Sequence, residues 1–271
     1  MKKRMSFIGT LVIICLACVM LASCLTTLEA MAEQAMAGTG SQAGGVTNQE
    51  AIRALRDALV EGIKSAASQL SARDGYFGNA ALKILLPPEA KPIVDSVSKI
   101  PQGRKLIDDV VLRLNRAAEE AAKEVVPIFT DAITSMTISD GIAIVKGGDT
   151  AATEYLEKKT RSKLFDLYRP KMDSALSKPL VADISAKKSW EILTTAYNRV
   201  GKVANSAAKL AGKKEPMPRV SVDLATYATN KGLDGLFAKI GEEEKKIRKN
   251  PLGYASAMIK KVFGALKDGL L

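Results

Sequence analysis

Every cysteine in the chain lies within its first 24 residues, at Cys15, Cys18 and Cys24, and there is no histidine anywhere. Whatever folds beyond Cys24 therefore has no internal disulfide and must be held by packing alone. Small exported domains rely on disulfides when their cores are inadequate. The roughly 225 residues past position 46 are enough to bury a self-sufficient core without them. The same absence restricts chemistry: His or Cys zinc and copper sites, Ser-His-Asp and Cys-His catalysis, and His acid-base work are all excluded from the body. No cofactor and no metal site is expected.

The N-terminus has its own logic. Lys2, Lys3 and Arg4 precede an apolar run from Phe7 to Met20, and Leu21-Ala22-Ser23-Cys24 follows. A basic start, a short apolar core and small residues before a cut define an export signal, and a Cys directly after Leu-Ala-Ser resembles the lipobox of bacterial lipoprotein precursors. Residues 1–23 then read as a signal peptide, and Cys24 as the first mature residue, carrying acyl chains such as palmitate. The alternative is an uncleaved anchor, since Phe7 to Leu25 approaches the about 20 residues that span a bilayer. Either way the body is exported and tied to a membrane. Leu25 in place of Asp after the Cys resembles the pattern of outer-membrane sorting, facing the periplasm in a Gram-negative source. Residues 24–46, ending in Ala37-Gly38-Thr39-Gly40-Ser41-Gln42-Ala43-Gly44-Gly45, read as a flexible tether with a reach of about 25 Å.

The formal charge is +11, and falls to +8 once the three basic signal residues are removed. Such an excess suits an anionic neighbour, which for an exported chain means phospholipid headgroups, lipopolysaccharide or acidic wall polymer. Nucleic acid is disfavoured as a partner: aromatics make up only 5% of the chain, and no nucleic-acid-binding motif appears.

From Thr47 onward the apolar spacing is helical. Thr47-Asn48-Gln49-Glu50 is a capping box, and Ile52, Leu55, Leu59, Ile63, Ala66 and Leu70 then recur every three or four residues opposite charged positions. Lys83 to Leu86 reads as a short extended run stopped by Pro87-Pro88. Pro88 starts a helix to Ile100, and Arg104 opens a long one, with Pro127 forcing a kink or a new helix. Thr137-Ile138-Ser139-Asp140 begins a short helix closed by Gly147-Gly148, and Asp149 or Thr150 caps the next as far as Pro170. Residues 171–211 are less regular, with Trp190, Leu193, Tyr197 and Val200 as their clearest stripe. Asp223 caps a helix running to Asn250, and Pro251 starts the last, with Ala255, Ile259 and Phe263 inward. The expected fold is all-α: one domain over residues 47–271, of about eight to ten helices.

Four segments carry a resemblance: Gly147-Gly148-Asp149-Thr150-Ala151-Ala152-Thr153, Leu233-Asp234-Gly235-Leu236-Phe237, Glu242-Glu243-Glu244-Lys245-Lys246-Ile247-Arg248, and Lys261-Val262-Phe263-Gly264. Together they resemble the bacterial family called domain of unknown function 4197, from about Thr47 to Gly264. The resemblance implies no reaction, because none is attached to the family, and it offers no motif for residues 171–220.

Two places could form a site. Lys146, Gly147, Gly148, Asp149, Thr150 and Thr153 gather backbone N–H groups at a helix start, a geometry that can hold phosphate or carboxylate; the plainer reading is one helix stopping and the next starting. Arg113, Asn115, Arg116, Glu119 and Glu120 form a polar set in the long helix, read as a surface ion-pair face with Arg116 facing Glu120. Glu242 to Lys249 reads as a solvated face, since three consecutive carboxylates point about 100° apart and cannot converge on one ion. The leading functional expectation is a non-catalytic, membrane-tethered protein of the cell envelope that binds an anionic component or an envelope protein. A carrier of lipid or another apolar ligand is the first alternative, and a hydrolase of envelope polymer using carboxylates alone is the second.

Overall fold

The computed structural model describes residues 45–271, Ile100 excepted. The signal segment, Cys24 and nearly all of the tether lie outside the described residues. Residues Asn48–Leu271 form one compact unit, and it is all-α. Nine α-helices lie among the described residues: α1 Asn48–Ser71, α2 Lys91–Val97, α3 Gly103–Ala121, α4 Val125–Ser135, α5 Gly141–Val145, α6 Ala151–Ser177, α7 Ala186–Leu210, α8 Leu224–Lys249 and α9 Ala257–Lys267. The same residues contain no strand, only an isolated bridge between Val181 and Ile184.

Three long helices make the centre. α8 packs against α1 along the most extensive interface and against α6 along the next, while α4, α5 and α9 cover other sides of α1, and α3 backs α6. The stripe on α1 explains this position: Leu55, Leu59, Ile63 and Leu70 are buried on one face. The backbones come close because glycine lines the contact. A Cβ on Gly62 of α1 would sit 3.0 Å from Ile240 Cγ2 and 3.5 Å from the Ile240 carbonyl oxygen; Gly235 of α8 instead makes room for the ring of Tyr76, beyond α1, whose Cε1 a Cβ there would meet at 2.6 Å.

The helix at Thr150 does not end at Pro170 but continues to Ser177. Proline removes one backbone donor; Met172, Ala175 and Leu176 extend the buried face beyond it, and that burial outweighs the lost bond. Pro251 opens only a 3-10 turn, and α9 begins at Ala257 with the Ser256 hydroxyl accepting from the Ile259 N–H at 3.2 Å. Ala255, ahead of that helix, is exposed rather than inward. Pro127 sits in a new helix, α4, entered through a 3-10 turn. Asp223 caps as expected, accepting from Thr226 N, and within the 137–140 segment it is Asp140 that caps α5, accepting from Ala143 N.

Candidate functional site

At the start of α6 the anion position is filled from within the chain. Glu244, on α8 and 2% exposed, accepts from the Ala152 N–H at 3.0 Å, the Thr153 N–H at 2.8 Å and the Thr153 hydroxyl at 2.7 Å. A carboxylate here uses the free donors of the first turn and its positive dipole end. Arg248, one turn on, donates to Glu244 Oε1 from Nε at 3.0 Å and Nη2 at 2.7 Å. Its remaining donors reach Val145 O at 2.6 Å and Ile144 O at 3.3 Å, the closing carbonyls of α5. The guanidinium also lies 5.4 Å from the Phe263 ring centre. One Glu–Arg pair therefore finishes α5, starts α6 and fixes both to α8 and α9. Of the sequence-predicted residues, Thr153 is buried in this knot, while Lys146, Gly147, Gly148 and Asp149 are exposed beside it. Thr150 is the N-cap without a side-chain capping bond, its hydroxyl donating instead to Glu154 at 2.6 Å.

The polar set on α3 is not a surface face. Asn115 is fully buried and pairs with the backbone of Ile84, accepting from its N–H at 2.9 Å and donating to its carbonyl at 2.7 Å. That explains why Lys83 to Leu86 stays extended. Glu119, 4% exposed, accepts from the N–H groups of Tyr76 and Phe77 at 3.3 and 3.1 Å. Arg116 pairs with Glu119 at 2.6 Å and Asp74 at 2.8 Å, not with Glu120. Glu120 faces Lys123 and Lys178, whose hydrogen bonds hold its carboxyl below the usual range. Arg113 donates to Asp109 O at 3.0 Å. The cluster thus anchors the 74–87 connection and drives Tyr76 into the core, where its hydroxyl donates to Gly232 O at 2.8 Å. Burial pushes the Tyr76 hydroxyl pKa well up, helped by Tyr168, Asp234 and Glu119.

The charged run on α8 is solvated only in part. Glu242 is exposed beside Lys239, whereas Glu243 and Glu244 are buried. Burial works against ionisation of Glu243, yet hydrogen bonds from Tyr254, Lys246 and Ser65 hold its carboxyl below the ordinary value. A general acid needs the opposite shift. No group of three or more acidic side chains that could hold a metal ion occurs among the described residues.

Helix α7 was the least legible segment. Trp190, Leu193 and Tyr197 are buried as expected, but Val200 is 60% exposed. The fourth inward position is Gly201, which lies under Met217. Two asparagines two turns apart hold the chain beyond α7 against it. Asn198 donates to Val220 O at 2.9 Å and accepts from its N–H at 3.0 Å; Asn205 does the same with Met217 at 2.6 and 3.0 Å. The spacings match, because seven helical residues and three extended ones both advance about 10 Å. Residues 212–216 are an exposed loop, and residues 217–220 are held against α7 at Met217 and Val220. The signal that could have revealed this is Asn198 and Asn205 seven residues apart on either side of a glycine. Open hollows of about 600 and 860 Å³ flank α7, bordered by charged side chains including Arg169, Asp173, Arg199 and Lys202.

Among the described residues the chain is an all-α domain whose buried carboxylates each hold a neighbouring segment in place. It belongs to a family of proteins of unknown function, DUF4197, whose model matches residues 45–264. No curated protein and no solved structure matches it. The segments that carried the resemblance converge in space: Thr153, Glu244, Arg248 and Phe263 in one knot, Gly235 against Tyr76 in the other.

Proposed function

We propose that the protein is an exported lipoprotein, tethered through Cys24, that serves as a non-catalytic binding or scaffold protein of the cell envelope. The observation that carries this reading is how its buried acids are used. Glu119 and Glu244 are committed to backbone amides and to guanidinium groups, and Glu243 to Tyr254, Lys246 and Ser65. A hydrolase using carboxylates alone needs two acids facing one cleft, whereas these three acids face backbone amides, guanidinium groups and the Tyr254, Lys246 and Ser65 side chains. What the fold leaves to solvent is basic and partly apolar surface, which suits recognition. The tether rests on the lipobox-like Leu21-Ala22-Ser23-Cys24; no described helix is long and apolar enough to cross a membrane.

Fractionation of cells carrying the parent or Cys24→Ser tests it. The parent is expected in the membrane fraction, trimmed to begin at Cys24, and the variant is expected to lose that processing. A Cys24→Ser chain trimmed and retained like the parent sinks the tether.

A further inference from the structure

α7 is amphipathic twice over. Trp190, Leu193, Tyr197 and Gly201 face the body, yet a second apolar line, Ile192, Ala196, Val200, Val203, Ala207 and Leu210, faces solvent. Ile192 is 53% exposed, Val200 60%, Val203 70% and Leu210 91%. These positions follow a 4-4-3-4-3 spacing from Ile192 to Leu210, a rise of about 27 Å along the helix. At 100° per residue they fill a band of about 80°. Core-facing residues border the band on one side, and Arg199 and Lys188, the latter paired with Glu191 at 3.0 Å, border it on the other. Asn198 and Asn205 project from the far side, so the 217–220 segment they clamp stiffens α7 without covering the band. Charge is concentrated here as well: residues 186–219 carry eight Lys and Arg against two Glu, a net +6 in a chain of +11.

We infer that α7 docks on an anionic phospholipid surface. It lies in the headgroup plane, with Ile192, Val200, Val203 and Leu210 entering the acyl boundary and Lys188 and Arg199 pairing with phosphate. An exposed apolar stripe edged by Lys and Arg is the arrangement of interfacial helices, and the local charge selects anionic over zwitterionic lipid. A neutral protein partner would explain the stripe but not the basic excess beside it. The inference deepens the envelope-binding reading and rests on it only for proximity to lipid: the tether holds the chain at the membrane, and α7 adds a second, charge-selective contact.

The test uses the full chain with Cys15→Ala and Cys18→Ala, and an environment-sensitive fluorophore on Val203→Cys. The same chain without Val203→Cys serves as the blank. It is reconstituted with vesicles of phosphatidylcholine alone or with one third phosphatidylglycerol. With phosphatidylglycerol the label is expected to shift to the blue and to be quenched at least two-fold more strongly by brominated acyl chains. A label at Lys163→Cys, on an exposed position of α6, is expected to stay aqueous. Lys188→Glu with Arg199→Glu, both exposed, should weaken the docked signal by about 25-fold or more, at about five-fold per basic residue near the surface. Val203→Asp, labelled at Val200→Cys instead, should abolish it. Flotation reads the tether separately: co-flotation with both vesicle types while the Val203 label stays aqueous in both overturns the docking and leaves the tether standing. Equal quenching in both vesicle types overturns the role of charge, and loss of flotation with phosphatidylcholine alone overturns only the tether.

Discussion

Removing the Glu244 carboxylate should be among the most damaging single changes in the protein. Its side chain is 2% exposed and that of its partner Arg248 is 8% exposed. In Glu244→Ala the guanidinium keeps the Val145 and Ile144 carbonyls but loses its counter-charge, while the Ala152 and Thr153 amides lose their acceptor. Breaking a buried pair by deleting one member costs about 3–5 kcal/mol; the retained carbonyls put this case near the lower end. With a urea m-value of about 2–3 kcal/mol/M, the midpoint should fall by about 1–1.5 M. Urea titration of the body, followed by helical circular dichroism, reads this directly. Glu242→Ala, an exposed neighbour, is the control and should cost under about 1 kcal/mol. Glu244→Gln with Arg248→Met removes both charges while keeping an acceptor for the amides, and should recover at least about 1 kcal/mol of the loss. If Glu244→Ala costs no more than Glu242→Ala, the knot does not join α5, α6 and α8 as argued.

Two buried tyrosines should respond in opposite directions. Tyr76→Phe removes the hydroxyl's bond to the Gly232 carbonyl, which keeps its intrahelical partner, and should cost about 1 kcal/mol, whereas the Tyr168 hydroxyl is buried without a hydrogen bond, so Tyr168→Phe should be neutral or stabilising by melting temperature. Asp223 adds a pH dependence. Burial opposes its ionisation, but hydrogen bonds from Arg169 and Thr226 lower its carboxyl from 3.8 to about 2. Its stabilisation is therefore complete above about pH 4 and is lost as the pH falls toward 2. With half the side chain exposed, solvent screening reduces the effect to about 1 kcal/mol. Asp223→Asn should flatten the fall in melting temperature between pH 4 and 2, and an unchanged slope would contradict the assignment.

The helices were legible because each carries its own period and its own stop. Leu55, Leu59 and Ile63 identify the buried side of α1, and Asp223 names its own helix start. Elements held by remote partners were not. Nothing local to Glu244 says that the N-terminus of α6 will meet it 91 residues away in sequence, so it reads as one more charge in a solvated run. Asn115 and Glu119 look like surface polar residues until the 74–87 segment is laid against them. α6 passes through Pro170 because its packing extends further than the local penalty suggests. In α7 the inward stripe was right for three positions and turned at the fourth, where a glycine under Met217 replaced Val200.

The most direct test of the membrane-tethered account is the intact mass of the protein extracted gently from membranes. The account predicts a chain running from Cys24 to Leu271 that carries a diacylglyceryl group and fatty acyl chains on its first residue. A chain that still begins at Met1, or one whose Cys24 is unmodified, would contradict it.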